Sequence, residues 1–165
     1  MQFRKADNSD IPVIQQIAEK TWRPTYGHIL TEEQTLYMLD LMYSSEVLQK
    51  QIGSTIDFYL AMNGQETLGY FSIELTEPNK MKLHKIYLDP DHKSKGTGSQ
   101  IIEFIKQIAL ETGVKHIELN VNKYNSAVHF YEKMGFIRAK EMVLDIGNGY
   151  VMDDYVMQLT LVPTR

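Results

Sequence analysis

Leu83-His84-Lys85-Ile86-Tyr87-Leu88-Asp89-Pro90-Asp91-His92-Lys93-Ser94-Lys95-Gly96-Thr97-Gly98-Ser99 is the stretch whose reading decides the fold. A β-rich run over residues 81–88 ends at Asp89-Pro90, passes through a loop with two glycines, and opens a helix. Ile101, Ile102, Ile105, Ile108 and Ala109 fall on one side of that helix. Strand, glycine turn and helix in this order read either as an anion site or as a surface turn with solvated lysines. Glycine lets the backbone approach a ligand closely, and the unpaired amides and dipole of a helix start favour phosphate. Lys93 and Lys95 add positive charge in a chain of net charge -4, and His92 adds more when protonated. The nucleoside triphosphate loop Gly-x-x-x-x-Gly-Lys-Ser/Thr is absent, and a dinucleotide fingerprint needs a third glycine or alanine where Ile101 stands.

Outward from this stretch, residues 57–62 and 67–75 are two β-rich runs around Asn63-Gly64, a dipeptide favoured in tight hairpins. Before them the pattern is helical. Asn8-Ser9-Asp10 offers N-cap side chains ahead of Ile11, Ile14, Ile17 and Ala18, with Pro12 in the tolerated first turn. Thr31-Glu32-Glu33-Gln34 has the spacing of a capping box before Leu36, Leu39 and Tyr43, and Ser44 or Ser45 starts a third short helix ending at Gly53. Residues 2–6 read as a short opening strand. Downstream, Gly113 stops the helix, and residues 116–121 alternate with Ile117, Leu119 and Val121 on one face. Asn125 precedes a short helix through Met134, which Gly135 ends. Residues 136–144 and 154–161 are two final strands joined through Gly147-Asn148-Gly149. Strands and helices interleave with no repeat or linker, which gives one α/β (α+β) domain over residues 1–165 with a mixed sheet, antiparallel in its first part.

The loop, read as Lys93-x-x-Gly96-x-Gly98 after a strand, resembles the pyrophosphate-binding motif Arg/Gln-x-x-Gly-x-Gly/Ala of the GNAT family of N-acetyltransferases, with lysine at the first position. Leu83-His84-Lys85-Ile86-Tyr87-Leu88-Asp89-Pro90 resembles that family's central strand. Asn120-Val121-Asn122-Lys123-Tyr124-Asn125-Ser126-Ala127 followed by Phe130-Tyr131-Glu132-Lys133-Met134-Gly135-Phe136 resembles its second-half strand–helix–turn. The resemblance implies a mixed, largely antiparallel central sheet flanked by helices on both faces and split between its two central strands. It implies acetyl-coenzyme A as donor, bound at Lys93, Ser94, Lys95, Gly96, Thr97, Gly98, Ser99 and Asn125. A backbone amide around Tyr87 or Leu88 would hold the oxyanion, which makes Leu88 a binding position. Tyr131 would place its hydroxyl near the thioester sulfur as general acid, since an unperturbed phenol stays protonated at neutral pH. Phe130 is expected to pack in the core.

Many members of the family carry a carboxylate base on the central strand where Lys82 stands here. His84, two residues along on the same face of a regular strand, and Glu74, on the neighbouring strand, are the two candidate bases. Trp22 and Tyr26 form either an aromatic wall for a cationic acceptor or simple packing between two helices. In Leu83-x-Lys85-Ile86-Tyr87, in Asn125-x-Ala127-x-x-Phe130-Tyr131-x-x-Met134-Gly135-Phe136 and in the closing Asp153-Asp154-Tyr155-Val156-Met157, the chain resembles bacterial polyamine and small-amine acetyltransferases within the family. The implied activity is acetyl transfer to a primary amine in a ternary complex, without metal. The alternative, kept open by Lys82, is a non-catalytic acyl-coenzyme A sensor.

Composition narrows the remaining choices. The chain has 43% apolar and 23% charged residues, an ordinary globular balance. The absence of cysteine excludes disulfides, thiolate metal ligands and a cysteine nucleophile, in agreement with direct amine attack. No long apolar run follows Met1, so neither a secretory signal nor a membrane span is expected, and the cytoplasm is the expected compartment. An acidic balance argues against nucleic acid as a partner. Edge strands near the C-terminus are compatible with a monomer or a homodimer.

Overall fold

Asp7 turns the chain out of β1 (Gln2–Lys5) and into helix. Its carboxylate accepts from the Ser9 amide at 2.8 Å while Asp10 reaches back to the Asp7 amide at 2.9 Å, a reciprocal cap on the 3-10 turn Asn8–Asp10. α1 (Ile11–Tyr26) follows with Pro12 in its first turn. Thr31 caps α2 (Glu32–Tyr43) by accepting from the Gln34 amide at 3.1 Å, and Ser44 caps α3 (Ser45–Ile52) through the Val47 amide at 3.3 Å. The computed structural model describes residues 1–92 and 96–162.

Seven strands make a mixed, mostly antiparallel α/β fold, built as two compact units: Met1–Glu74 with Lys85–Ile101, and Leu75–His84 with Ile102–Arg165. In the first unit, β1 pairs antiparallel with β2 (Ile56–Asn63), β2 pairs antiparallel with β3 (Glu66–Glu77), and β3 neighbours the C-terminal half of β4 (Lys80–Leu88). The helices close on these strands through aromatic rings. Tyr43 of α2 meets Tyr70 of β3 edge-on at 6.3 Å, and the Tyr70 hydroxyl donates to that of Tyr43 at 2.8 Å.

In the second unit, β4 pairs parallel with β5 (His116–Asn122) from Lys80↔His116 to Leu83↔Leu119, and β4 then runs on to Leu88. β5 pairs antiparallel with β7 (Tyr150–Thr160), which pairs with β6 (Ile137–Gly147). α4 (Thr97–Glu111), from Ile102 onward, and α5 (Ala127–Lys133) complete it; Lys106 of α4 donates to the Met134 carbonyl at 3.4 Å just past α5. Met81, Leu83, Ile102, Ile105, Ile117, Leu119 and Met157 form its core, each at most 2% exposed.

The last hairpin is longer than its sequence pattern predicts: β6 reaches Gly147 rather than residue 144, and β7 begins at Tyr150 rather than 154. Gly147, Asn148 and Gly149 all take positive φ (89°, 56° and 79°), so the reversal is confined to Asn148-Gly149 and pairing continues to Gly147↔Tyr150. Among the described residues no helix is long and apolar enough to cross a membrane.

Candidate active site

In the first unit the end of β4 is set by how closely β3 lies against it. A Cβ on Gly69 would stand 2.5 Å from the Tyr87 carbonyl oxygen and 2.9 Å from Leu88 Cδ2, so only glycine admits this approach. The Asp89 amide donates to the Leu68 carbonyl at 2.8 Å, which fastens the chain as it leaves the strand. Asp89 is itself buried. Its carboxylate accepts from the Asp91 amide at 2.9 Å and lies 3.5 Å from Lys20 Nζ, which also reaches Asp91 at 2.9 Å. Burial pushes the Asp89 carboxyl up, but the Asp91 amide and Lys20 outweigh it and hold it below the usual carboxylate range. The ionised Asp89 therefore ties α1 to the turn Pro90–His92 that precedes the glycine loop.

Of the expected loop residues, Lys93, Ser94 and Lys95 lie outside the described residues. Gly96 adopts φ 93°, with open space where a Cβ would stand, and its carbonyl accepts from the Gln100 amide at 3.0 Å. Thr97 is buried at the start of α4, and Gly98 and Ser99 are half-buried in its first turn, which contains no acidic side chain. Backbone amides at such a start have no partner within the helix and, with the helix dipole, favour an anion. The arrangement fits the pyrophosphate of a coenzyme.

Trp22 and Tyr26 are brought together with Tyr87. Trp22 is 2% exposed and packs 4.7 Å from Tyr26, 6.0 Å from Tyr43 and 6.3 Å from Tyr87, while the Tyr26 and Tyr87 hydroxyls are 3.5 Å apart. Trp22 is thus a core residue, and the Tyr26–Tyr87 hydroxyl pair is the polar end of the cluster. Lys85, on the same strand as Tyr87, donates to the Met42 carbonyl and to Gln51 Oε1, each at 3.2 Å, and lies 4.3 Å from the centre of the Tyr43 ring. Burial pushes its ammonium down to about 8. Glu74, at the end of this unit's part of β3, accepts a hydrogen bond from the Thr55 hydroxyl.

In the second unit, Lys82 donates to Asn120 Oδ1 at 2.5 Å and lies 3.5 Å from Glu118, which Lys80 approaches at 3.1 Å. Burial pushes the Lys82 ammonium down, partly offset by Glu118. His84 is exposed on the same strand. Asn125 Oδ1 accepts from the Ala127 amide at 2.9 Å, which fixes the turn into α5. Tyr131 is 7% exposed, with its ring 5.7 Å from Phe136, whereas Phe130 is only half-buried. The expectation that Phe130 packs in the core is therefore corrected. Val128 and Tyr131, three residues apart, form the inward face of this short helix and leave Phe130 to its flank.

Asp154 falls in the closing segment that carries the family resemblance, but the sequence reading assigned it no site role. It is buried on β7, opposite Asn122 of β5 and Met142 of β6, and its Oδ1 has no hydrogen-bond partner among the described residues. The signal was present in Asp153-Asp154: adjacent strand residues face opposite sides, so one carboxylate of the pair must point to each face of the sheet. Among the described residues no group of three His, Asp or Glu side chains is placed to hold a metal ion.

A family model described as the acetyltransferase (GNAT) domain matches residues 29–158. The chain is 26% identical over 142 residues to the spermidine N(1)-acetyltransferase of Thermoplasma acidophilum, a match covering 82% of this chain and 88% of that protein. It is 24% identical over 168 residues to an uncharacterized N-acetyltransferase of Lactobacillus delbrueckii subsp. lactis, with 96% of each chain covered. Among solved structures, the PaiA N-acetyltransferase of T. acidophilum in complex with coenzyme A matches at a TM-score of 0.81 and 25% identity, covering 97% of this chain and 98% of that one.

Proposed function

This chain belongs to the GNAT acetyltransferase family and is an acetyl-coenzyme A-dependent acyltransferase, and on that premise we propose that it acetylates a primary amine by direct attack in a ternary complex. The observation that carries the reading is the strand-to-helix turn at Gly96, whose positive φ delivers the chain to an α4 start without acidic side chains. Likeness to a protein named as a spermidine N(1)-acetyltransferase supports a small polyamine as the acceptor class; a peptide amine is the other substrate the chemistry accommodates.

Each side chain then has a distinct task. Amides of Gly96, Thr97, Gly98 and Ser99, with Lys93, Ser94 and Lys95, hold the pyrophosphate, and Asn125 contacts the coenzyme. The backbone amide at Leu88 donates to the thioester oxygen as it gains charge. Tyr131 gives its hydroxyl proton to the departing thiolate and is restored by a proton from the new amide nitrogen.

The test is thiol release from acetyl-coenzyme A with polyamines, amino acids, aminoglycosides and peptides as acceptors, together with Tyr131→Phe. We expect turnover with at least one polyamine and a kcat lower by about 100-fold in the variant, with calorimetric coenzyme binding unchanged. Coenzyme binding without turnover on any amine would overturn the proposal in favour of the sensor.

A further inference from the structure

One face of the second unit carries a row of polar side chains. Strand register sets Lys82 opposite Glu118 and Asn122 opposite Asp154, and Glu118, Asn120 and Asn122 alternate along β5, so all of these project to the same side. The row is linked: Lys82 Nζ donates to Asn120 Oδ1 at 2.5 Å, and Asn120 Nδ2 reaches Met142 Sδ at 3.8 Å, the residue opposite Asp154 on β6. Asn120 is exposed, so the row opens to solvent.

Asp154 stands apart within this row. It is 3% exposed, and its Oδ1 accepts no hydrogen bond among the described residues. Buried acceptors are nearly always paired, and a bare carboxylate oxygen at this depth is what an incoming donor would complete. The neighbouring groups leave it available. Asp153 is held by Lys123 at 2.9 Å, Lys123 also reaches Glu141 of β6 at 3.3 Å, Glu118 is shared by Lys80 and Lys82, and the Asn122 side chain accepts from the Tyr124 amide at 2.9 Å. A primary ammonium supplies the three donors and the positive charge that such an oxygen lacks.

We propose that Asp154, rather than His84 or Glu74, binds the acceptor's ammonium group and takes its proton. This rests on the reading of the chain as an amine acetyltransferase. One N–H bond breaks, its electron pair stays on nitrogen, and the proton passes to Asp154 Oδ1. The free pair forms the nitrogen–carbonyl bond, the carbon–sulfur bond breaks, and the coenzyme leaves as thiolate. The second nitrogen proton balances the one the thiolate takes up, and Asp154 releases its own proton to solvent. Burial and Asp153 push the Asp154 carboxyl up, Lys82 draws it partly back, and the outcome of about 6 leaves it an ionised base at neutral pH.

The test uses the full chain with spermidine and acetyl-coenzyme A, and compares pH profiles of kcat/KM for wild type, Asp154→Asn and Asp154→Glu. Thermal melts and calorimetric coenzyme binding show that each variant is folded. In the wild type, kcat/KM should fall about tenfold per pH unit below about pH 6. Asp154→Asn should lower kcat/KM by about 100-fold and flatten that acid limb, and Asp154→Glu should restore part of both. A folded Asp154→Asn enzyme with the wild-type value and acid limb overturns this inference and leaves the acetyltransferase reading intact. A wild-type protein that binds the coenzyme but acetylates neither spermidine nor any other amine overturns both.

Discussion

Asp154 is a residue whose neutral form the fold prefers, and the sign of its effect on stability follows. An ordinary aspartate ionises near 3.8, whereas here the carboxyl is raised to about 6, so between these values the folded chain holds a proton that the unfolded chain has lost. Stability therefore falls as pH rises through this window and stays lower above it. Asp154→Asn should raise the unfolding free energy at pH 7.5 by about 1–3 kcal/mol, and the gain should vanish below about pH 4. Denaturant titrations at the two pH values check this; equal stability at pH 7.5 would show that the buried carboxylate is not held at a cost. At this scale the sequence was legible where backbone chemistry limits the choice, as at Gly96 with its positive φ. Asp154 was not legible in the same way because the character of that side chain comes first from burial, then from Asp153 beside it and Lys82 on another strand. The sequence reading also inverted Phe130 and Tyr131, since two adjacent aromatics on a seven-residue helix do not reveal which one faces inward.

At the scale of elements, β3 and β4 depend on one another through Gly69. Inserting a methyl group 2.5 Å from the Tyr87 carbonyl and 3.2 Å from Leu88 Cα requires the backbone of β4 to move. Gly69→Ala should cost about 1–3 kcal/mol of stability and raise the KM for acetyl-coenzyme A, because the amide proposed to hold the thioester oxygen sits at the displaced end of the strand. Melts and steady-state kinetics read the two effects, and a change in stability with unaltered KM and kcat would separate the strand end from the chemistry. The starts of α2 and α3 were legible because capping is local: Thr31 and Ser44 each accept from the amide three residues on, whereas Asp10 ahead of α1 makes no such bond to that helix and Asp7 caps the turn before it. The full length of the β6–β7 hairpin was not, since residues 145–147 and 150–153 are held by cross-strand pairing and not by an alternating pattern of their own.

Across the whole molecule, the family resemblance was carried by runs of residues contiguous in sequence, while the row from Lys82 to Asp154 depends on strand register, which no local pattern encodes. The two units are also interlaced along the chain: the first needs residues 1–74 and 85–101, the second 75–84 and 102–165. No single cut releases both intact. A break after Ile101 leaves the fragment 102–165 without the part of β4 that pairs with β5. That fragment alone should show no cooperative melting transition by circular dichroism, and mixing it with fragment 1–101 should restore one; a cooperative melt from 102–165 by itself would refute the expectation. Genetic exchange faces the same constraint. A crossover within residues 75–101 would pass on an unfinished unit, so a contiguous half of this chain is not a portable module.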